Sequence, residues 1–322
     1  LKNSLRSKLV FSIFVVVLIT ANYYYGSKKI SSFNKINNIK TNSTLKIISP
    51  KIEMDRFFNN EEPSEIILEL IKLSNPNFEK NTIFIFPEGI ITSIYLEDLK
   101  HYSELFSNNY SSNHKIILGI NSNQNSKIFN SLVILDNNAN ILEKYNKNKL
   151  VPFGEFLPFE DLLSKIGMKK ITTGYQSYSA DFERKILNIN NIKFLPLICY
   201  EIIYSGKLNK NNEDFDFIIN ISEDGWFGNS IGPHQHFSHS IFRAIEEGKN
   251  IIRSANNGTT AHIDPIGRVL NKIESTKRGV IEIENYKIHT KTLFGKYGNK
   301  IFFYFLLFYI TLIFFLKKKE IK

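Results

Sequence analysis

Two uncharged apolar segments, one near each end of the chain, restrict what the rest of the sequence can fold into. Residues 9–25 contain no charged side chain, and residues 301–316 are equally free of charge and precede the lysines at 317–319. At about 1.5 Å per residue, a helix over either segment extends about 25 Å, which spans the ~30 Å hydrocarbon core of a bilayer if flanking residues contribute or the bilayer thins. We therefore expect a transmembrane helix near each end and a domain between them that lies outside the membrane.

Basic residues beside the two segments predict the topology. The C-terminal lysines favour a cytoplasmic tail by the positive-inside rule, and the basic residues before residue 9 favour the same side, although Lys28 and Lys29 count against it. The domain then faces the extracytoplasmic, or periplasmic, side of the cell's inner membrane. A cleaved signal peptide is the alternative for the first segment, but no small-x-small site follows it. Because the first residue is leucine, we expect an N-terminally truncated part of a multi-pass protein.

Composition narrows the class of partner. Lysine and arginine number 41 against 31 aspartate and glutamate, a formal net charge of +10, which suits either nucleic acid or anionic lipid headgroups. The two apolar segments favour the membrane, so we expect no nucleic-acid partner. The 322 residues suffice for one main domain, and the single cysteine excludes an intramolecular disulfide.

The chain divides into three regions. Residues 31–43 are polar and rich in asparagine, so residues 1–44 are assigned to the first membrane helix and a linker. Residues 45–290 are assigned to the domain, and residues 291–322 to the second membrane helix with its basic tail.

Strand-like apolar runs alternate with helical periodicity inside the domain, a pattern typical of an α/β fold with sheets covered by helices. One predicted helix covers residues 63–73. Another begins near Gln235 and has Phe237, Ile241 and Ile245 on its apolar face.

Three polar residues stand where strand-like runs end. Glu88 follows IFIFP, Cys199 ends LPLIC, and Lys147 lies between them in YNKNK. If these strand ends converge, Glu88 can take the thiol proton, Cys199 can attack a carbonyl carbon, and Lys147 can hold positive charge near the oxyanion. The backbone N–H of Tyr200 is a second candidate donor to that oxyanion. Taken singly, each of the three residues also fits a structural role, as a buried thiol, a surface ammonium or a loop carboxylate.

Four segments together resemble the apolipoprotein N-acyltransferase family, the membrane-bound branch of the nitrilase, or carbon–nitrogen hydrolase, superfamily. They are FPEG, YNKNKLVPFGEFLPF, LPLICYE and the long run ISEDGWFGNSIGPHQHFSHSIFRAIEEGKNIIRSANNGTTAHIDPIG. The resemblance covers residues 45–290, and the fourth segment is its most specific part.

The resemblance implies a nitrilase-like αββα sandwich and a Glu–Lys–Cys triad of Glu88, Lys147 and Cys199. It implies supporting active-site roles for Glu155, Tyr200 and Glu201. The implied reaction moves a fatty acyl chain from a phospholipid, through a Cys199 thioester, to the N-terminal diacylglyceryl-cysteine amine of an apolipoprotein. No cofactor is expected. A membrane-tethered amidohydrolase that resolves the thioester with water is the alternative, and a catalytically inactive binding module is a more distant one.

An acyl pocket is predicted from apolar residues near the motifs. Phe153, Phe156 and Leu157 belong to an apolar segment over residues 153–163 that suits a lid, and Trp226 and Phe227 are further candidates for the pocket wall, although core packing explains all five equally well.

The sequence departs from the family pattern in two places. SPKIEMD at residues 49–55 replaces a stretch that often contains glutamine and tryptophan, and Glu223 stands where relatives commonly have a shorter polar residue.

Three histidines lie close together in the fourth segment, at His234, His236 and His239. Their spacing permits a zinc site. Structural roles are the preferred interpretation, because the chemistry implied by the resemblance requires no metal.

Overall fold

Two six-stranded sheets form the centre of the domain in the computed structural model, which describes residues 5–59, 61–159, 165, 177–206, 208–209 and 213–320. The first sheet has the order β12-β1-β2-β3-β4-β5 and the second has the order β11-β10-β9-β8-β7-β6. Strands β1, β2 and β3 run parallel in one sheet, as do β7, β8 and β9 in the other, and the remaining pairs are antiparallel.

The strands of the first sheet are β1 (Ile39–Ser49), β2 (Thr82–Ile85), β3 (His114–Gln124), β4 (Lys127–Leu135), β5 (Ile141–Asn146) and β12 (Gly279–Tyr286). Those of the second are β6 (Leu187–Ile189), β7 (Ile192–Ile198), β8 (Phe217–Glu223), β9 (Asn250–Asn256), β10 (Thr260–Ile263) and β11 (Val269–Ile273). The described helices are α1 (Leu5–Asn34), α2 (Pro63–Ser74), α3 (Ser103–Asn109), α4 (Gly232–Glu247), α5 (Leu293–Tyr297) and α6 (Lys300–Glu320). Four short 3₁₀ helices are described at Met54–Phe57, Leu96–Tyr102, Cys199–Ile203 and Gly225–Phe227.

The helices and the two sheets form four layers, helix, sheet, sheet and helix, and an apolar cluster lies between each pair of neighbouring layers. The central cluster lies between the sheets and joins Ile47 and Ile83 of the first to Phe194 and Phe217 of the second. A second cluster packs the outer face of the first sheet against α2 and α3, and a third packs the outer face of the second sheet against α4. The α/β sandwich predicted from the sequence is confirmed.

Gly119 of β3 allows the Glu88 turn to lie against the sheet. A Cβ atom at this position would stand 2.5 Å from Glu88 Cα and 2.7 Å from Pro87 O. Backbone hydrogen bonds link the same two segments, from Gly119 N to Pro87 O and from Ile90 N to Gly119 O. Glycine at position 119 therefore allows the Glu88 turn to pack directly against β3.

Helix α4 follows the prediction in place but not in its buried face. Phe237 and Ile241 pack at the edge of the third cluster, whereas Ile245 is 47% exposed, so the predicted apolar face is wrong at that residue. The deeply buried positions of α4 include His236, Ser240 and Arg243. His236 and Arg243 turn inward because hydrogen-bond partners lie there: Arg243 Nη1 donates to Ile203 O at 3.0 Å, and the contacts of His236 are described below.

One described helix, over Lys8–Asn34, is long and apolar enough to cross a membrane. It extends past the predicted segment because Phe33 is buried on the domain, with Arg268 and Lys287 over its ring at 5.5 and 5.6 Å. Strand β1 then begins at Ile39, so the linker is shorter than predicted. The apolar part of α6, over Lys300–Phe314, is shorter than a full span, and the prediction of a spanning helix at each end is not confirmed.

Candidate active site

The nucleophile candidate occupies a sharp turn. Strand β7 ends at Ile198, and Cys199 begins a 3₁₀ helix with a backbone φ of +48°, in the left-handed region that non-glycine residues rarely adopt. Such a conformation costs about 1–3 kcal/mol and persists only where neighbouring contacts enforce it. The turn places Cys199 at the carboxyl edge of the second sheet.

A buried ammonium lies between two carboxylates at the carboxyl edge of the first sheet. Lys147 Nζ, on a side chain that is 1% exposed, donates to Glu155 Oε1 at 2.8 Å and to Glu88 Oε1 at 3.2 Å. Asn130 Nδ2 joins the same two oxygens, at 2.7 Å from Glu88 and 3.0 Å from Glu155. The sequence did not single out Asn130, which lies mid-strand on β4 without a motif around it.

The second sheet contacts this cluster directly. The backbone N–H of Glu223, at the end of β8, donates to Glu88 Oε2 at 2.8 Å. Glu155 is fixed from its own loop, where Val151 N donates to Oε2 at 2.9 Å. Both carboxylates therefore have hydrogen-bond donors on each oxygen, which fixes their orientation relative to Lys147.

Contacts between the sheets bring the three predicted residues to one region: Lys147 Nζ lies 3.2 Å from Glu88 Oε1, and Glu201, two residues after Cys199, accepts from Asn148 N at 2.9 Å. Burial raises the pKa of the thiol well above its usual range, Glu88 raises it further, and Lys147 lowers it. Cys199 is buried, with 9% of the residue exposed. The resting thiol is therefore protonated, and it needs a base and a cation to react.

Lys147 stays charged in this environment. Burial lowers the pKa of its ammonium, but Glu155 and Glu88 outweigh that effect and raise the pKa well above the usual value. An ammonium that cannot lose its proton at neutral pH is suited to stabilise negative charge and unsuited to act as a base.

Glu201 lies beneath the turn and does not face the thiol. Its Oε2 accepts from Ile198 N at 2.9 Å, and its Oε1 accepts from the backbone N–H groups of Asn148 and Lys149 at 2.9 and 3.1 Å. Arg184 Nη2 adds a salt bridge at 2.9 Å. Glu201 therefore ties the nucleophile turn to the loop that carries Lys147.

One further side chain, that of Tyr145, completes this anchor. Tyr145 OH donates to both oxygens of Glu201, at 2.7 and 3.0 Å, and belongs to the central apolar cluster. Tyr200 is half-buried, and its ring packs edge-on against Tyr204 with centroids 5.7 Å apart.

The acyl-pocket candidates differ in exposure. Leu157 is buried and Phe156 half-buried, whereas Phe153, Trp226 and Phe227 are each more than a third exposed. The Trp226 ring lies 4.8 Å from that of Phe57 between centroids. Residues 160–163 of the predicted lid lie outside the described residues. A role of these side chains in acyl binding stays a prediction.

An ion pair that sequence reasoning missed lies behind the site. Arg56, which directly follows the departing segment 49–55, and Glu223 form a salt bridge in which both side chains are at most 1% exposed. Arg56 Nη1 also donates to Glu53 O at 2.9 Å, and Nη2 lies 3.4 Å from Gly89 O. Glu223, one of the two departures noted in the sequence, is therefore paired with the residue that follows the other departure.

Asp224 and His236 form a second buried polar contact, beside the nucleophile. His236 Nδ1 lies 2.9 Å from Asp224 Oδ1, and Nε2 lies 3.1 Å from the backbone oxygen of Cys199. Among the described residues no group of three or more His, Cys, Asp or Glu side chains is arranged to hold a metal ion.

Comparison with known proteins assigns this fold and site to a class. The carbon–nitrogen hydrolase family matches residues 65–284, and the chain belongs to that family. Among solved structures, XC1258 from Xanthomonas campestris, a CN-hydrolase superfamily protein, aligns with a TM-score of 0.52 at 14% identity, covering 77% of this chain and 91% of that one. Nit3 of Saccharomyces cerevisiae, from the nitrilase superfamily, aligns at 0.51 and 15% identity, covering 76% and 90%. The predicted nitrilase-like sandwich is thus confirmed.

Curated relatives of the chain are named apolipoprotein N-acyltransferases. The apolipoprotein N-acyltransferase of Rickettsia prowazekii (strain Madrid E) is 33% identical over 292 residues, which cover 88% of this chain and 57% of that protein. The enzyme of the same name from Wigglesworthia glossinidia brevipalpis is 31% identical over 315 residues, covering 96% and 62%. The chain therefore spans about three fifths of the length of these relatives.

Proposed function

We propose that this chain carries the catalytic domain of an apolipoprotein N-acyltransferase, in which Cys199 is the nucleophile, Glu88 the base and Lys147 the oxyanion donor. The observation that carries the proposal is the buried ammonium of Lys147, held between Glu88 and Glu155 and electrostatically coupled to the Cys199 thiol. The names of the relatives support acyl transfer as the reaction.

The first half-reaction acylates the enzyme. Glu88 takes the proton from the Cys199 thiol, and the thiolate sulfur attacks the ester carbonyl carbon of a phospholipid acyl chain. Negative charge then develops on the carbonyl oxygen, where Lys147 Nζ and the Tyr200 N–H stabilise it. The ester C–O bond breaks, Glu88 returns the proton to the departing alkoxide, and a thioester and a lysophospholipid remain.

The second half-reaction regenerates the thiol. The neutral N-terminal amine of a diacylglyceryl cysteine attacks the thioester carbonyl, and Glu88 takes a proton from that amine. The C–S bond breaks, the thiolate regains the proton from Glu88, and an amide is formed. Water in place of the amine would give the amidohydrolase alternative, which the names of the relatives do not favour.

The membrane supplies the acyl donor in this proposal. Helix α1 and the apolar stretch Lys300–Phe314 anchor the domain, residues 45–290, at the extracytoplasmic surface of the inner membrane. Exposed aromatic residues Phe153, Trp226 and Phe227 are suited to contact acyl chains there.

The proposed function is tested by measuring acyl transfer directly. The chain in vesicles that contain phospholipid is incubated with a diacylated lipopeptide, and the lipopeptide mass is measured. A third acyl chain is expected with the native chain and not with Cys199→Ser. Hydrolysis of the phospholipid acyl chain without amide formation would assign the amidohydrolase reaction instead.

A matched variant separates loss of chemistry from loss of fold. Glu143→Gln removes a carboxylate that forms only an exposed salt bridge with Lys185 at 3.4 Å, so this variant should transfer acyl chains normally. Glu88→Gln keeps the shape of the base but cannot take a proton, so it should not acylate Cys199. Transfer by Glu88→Gln at the native rate would contradict the assigned role.

A further inference from the structure

A chain of buried polar side chains supports the nucleophile from the side of helix α4. His236 is 4% exposed, and Asp224 and Arg253 are fully buried. Arg253 Nη2 contacts both oxygens of Asp224, at 2.7 and 3.0 Å, and Ser222 Oγ donates to Asp224 Oδ1 at 2.7 Å. The order of contact is Arg253, Asp224, His236 and then the backbone oxygen of Cys199.

Hydrogen-bond chemistry fixes the ring edge that faces Cys199. A backbone carbonyl oxygen only accepts hydrogen bonds, so the His236 Nε2 that lies 3.1 Å from it carries the proton. The other ring nitrogen, Nδ1, lies 2.9 Å from Asp224 Oδ1 and 3.2 Å from Arg253 Nη2. A protonated Nδ1 donates to the carboxylate and an unprotonated one accepts from the guanidinium, so the ring is held in either state.

Two features of the neighbouring backbone accommodate Asp224. Asp224 N donates to Asn256 O at 2.9 Å, and a Cβ atom on Gly258 would stand 2.1 Å from Asp224 Oδ2. Gly258 therefore leaves the space in which the Asp224 carboxylate lies.

Fixing the Cys199 carbonyl also fixes the next N–H group. In a trans peptide the C=O and N–H bonds of one plane point in opposite directions. The Cys199 carbonyl points at His236, so the Tyr200 N–H points away from His236. Tyr200 is in the first turn of the 3₁₀ helix, where N–H groups have no partner inside the helix and can donate to a ligand.

We propose that His236 is a positioning residue for the oxyanion. Its Nε2–H holds the Cys199 carbonyl, keeps the nucleophile in its left-handed conformation and thereby aims the Tyr200 N–H at the developing oxyanion. Asp224, held by Arg253 and Ser222, orients the imidazole. This role rests on the proposed function, because it requires that the reaction passes through a tetrahedral oxyanion.

The experiment compares two reactions of one thiol in the full chain. Acylation by p-nitrophenyl butyrate passes through an oxyanion and is followed by release of nitrophenolate in a single turnover. Alkylation by iodoacetamide displaces iodide and develops no oxyanion. A residue that aims an oxyanion donor should affect the first rate and spare the second.

His236→Ala is expected to acylate about 100-fold more slowly, the usual effect of losing one oxyanion donor, and to alkylate within threefold of the native rate. His236→Gln, whose amide N–H can reach the same carbonyl, should recover at least tenfold of the loss. His234→Gln is the matched control, because His234 is exposed on the same helix, and both of its rates should stay native.

Three results would overturn the inference. They are native acylation in His236→Ala, equal acylation rates in His236→Ala and His236→Gln, and a parallel loss of acylation and alkylation in a folded His236→Ala. A native chain that reacts with the ester but never transfers an acyl chain from phospholipid would instead contradict the proposed function, and the comparison of His236 variants would remain valid.

Discussion

Substitution of Arg56 by methionine should destabilise the protein strongly at alkaline pH and much less at acid pH. Methionine keeps much of the apolar length of the side chain and removes the cation from a pair in which neither partner is more than 1% exposed. Glu223 would keep three neutral donors, Asn256, Asn257 and Gly225 N, but no positive charge. Breaking a buried ion pair in this way costs about 3–5 kcal/mol.

The direction in which the stability of Arg56→Met changes with pH follows from the pKa of Glu223. Burial raises its pKa above the usual value even with Arg56 beside it. Removing Arg56 raises the pKa further, so the folded variant binds a proton that the unfolded chain has released. Stability then falls as pH rises from the unfolded pKa through the folded one. At pH 5 protonation removes the unpaired charge, and we expect a loss of about 1 kcal/mol, the value of a neutral hydrogen bond.

Denaturant unfolding at pH 5 and pH 8 measures both values. Trp226, the single tryptophan, packs at a tilt against Phe57, which contacts Arg56, and reports the transition by fluorescence. Arg278→Met is the matched control, since its 2.6 Å pair with Glu69 is 43% exposed and should contribute less than about 1 kcal/mol at either pH. Equal stability of Arg56→Met and the native chain at pH 8, or a deficit that grows on acidification, would refute the reasoning.

Three further outcomes are expected. Glu247→Gln should stabilise the protein by about 3 kcal/mol at pH 8 and hardly at pH 4, because burial raises the pKa of Glu247 to about 7, and unfolding curves that keep the native pH dependence would contradict this. Glu201→Gln should lose about 3 kcal/mol through its salt bridge with Arg184, and an unchanged denaturation midpoint would count against Glu201 as the anchor of the turn. Lys147→Met should move the pH profile of Cys199 alkylation to higher pH, because Lys147 lowers the thiol pKa that burial and Glu88 raise; a move to lower pH would exclude that role.

Features with a local sequence signal were predictable. The strand ends at Glu88 and Cys199 were visible as apolar runs that stop at polar residues, and helix α2 was visible from its periodicity. The end of an apolar run and the periodicity of a helix are each set by residues that are close together in the sequence.

Features that depend on distant partners were not predictable. Nothing around Arg56 reveals that it meets Glu223, 167 residues away, because the pairing exists only when the two sheets stack. The same holds for His236, for which the sequence predicts a structural role but does not reveal the partners Asp224 and Cys199. Buried polar groups break the hydrophobic pattern on which sequence prediction relies, and their partners are tertiary.

The stacking of two sheets also governs when the thiol can react. Glu88 and Lys147 follow strands β2 and β5 of the first sheet, whereas Cys199 follows strand β7 of the second. An unfolded or half-folded chain holds a sulfur with neither a base nor an ammonium beside it. The thiol therefore gains its carboxylate and ammonium neighbours only when the two sheets stack.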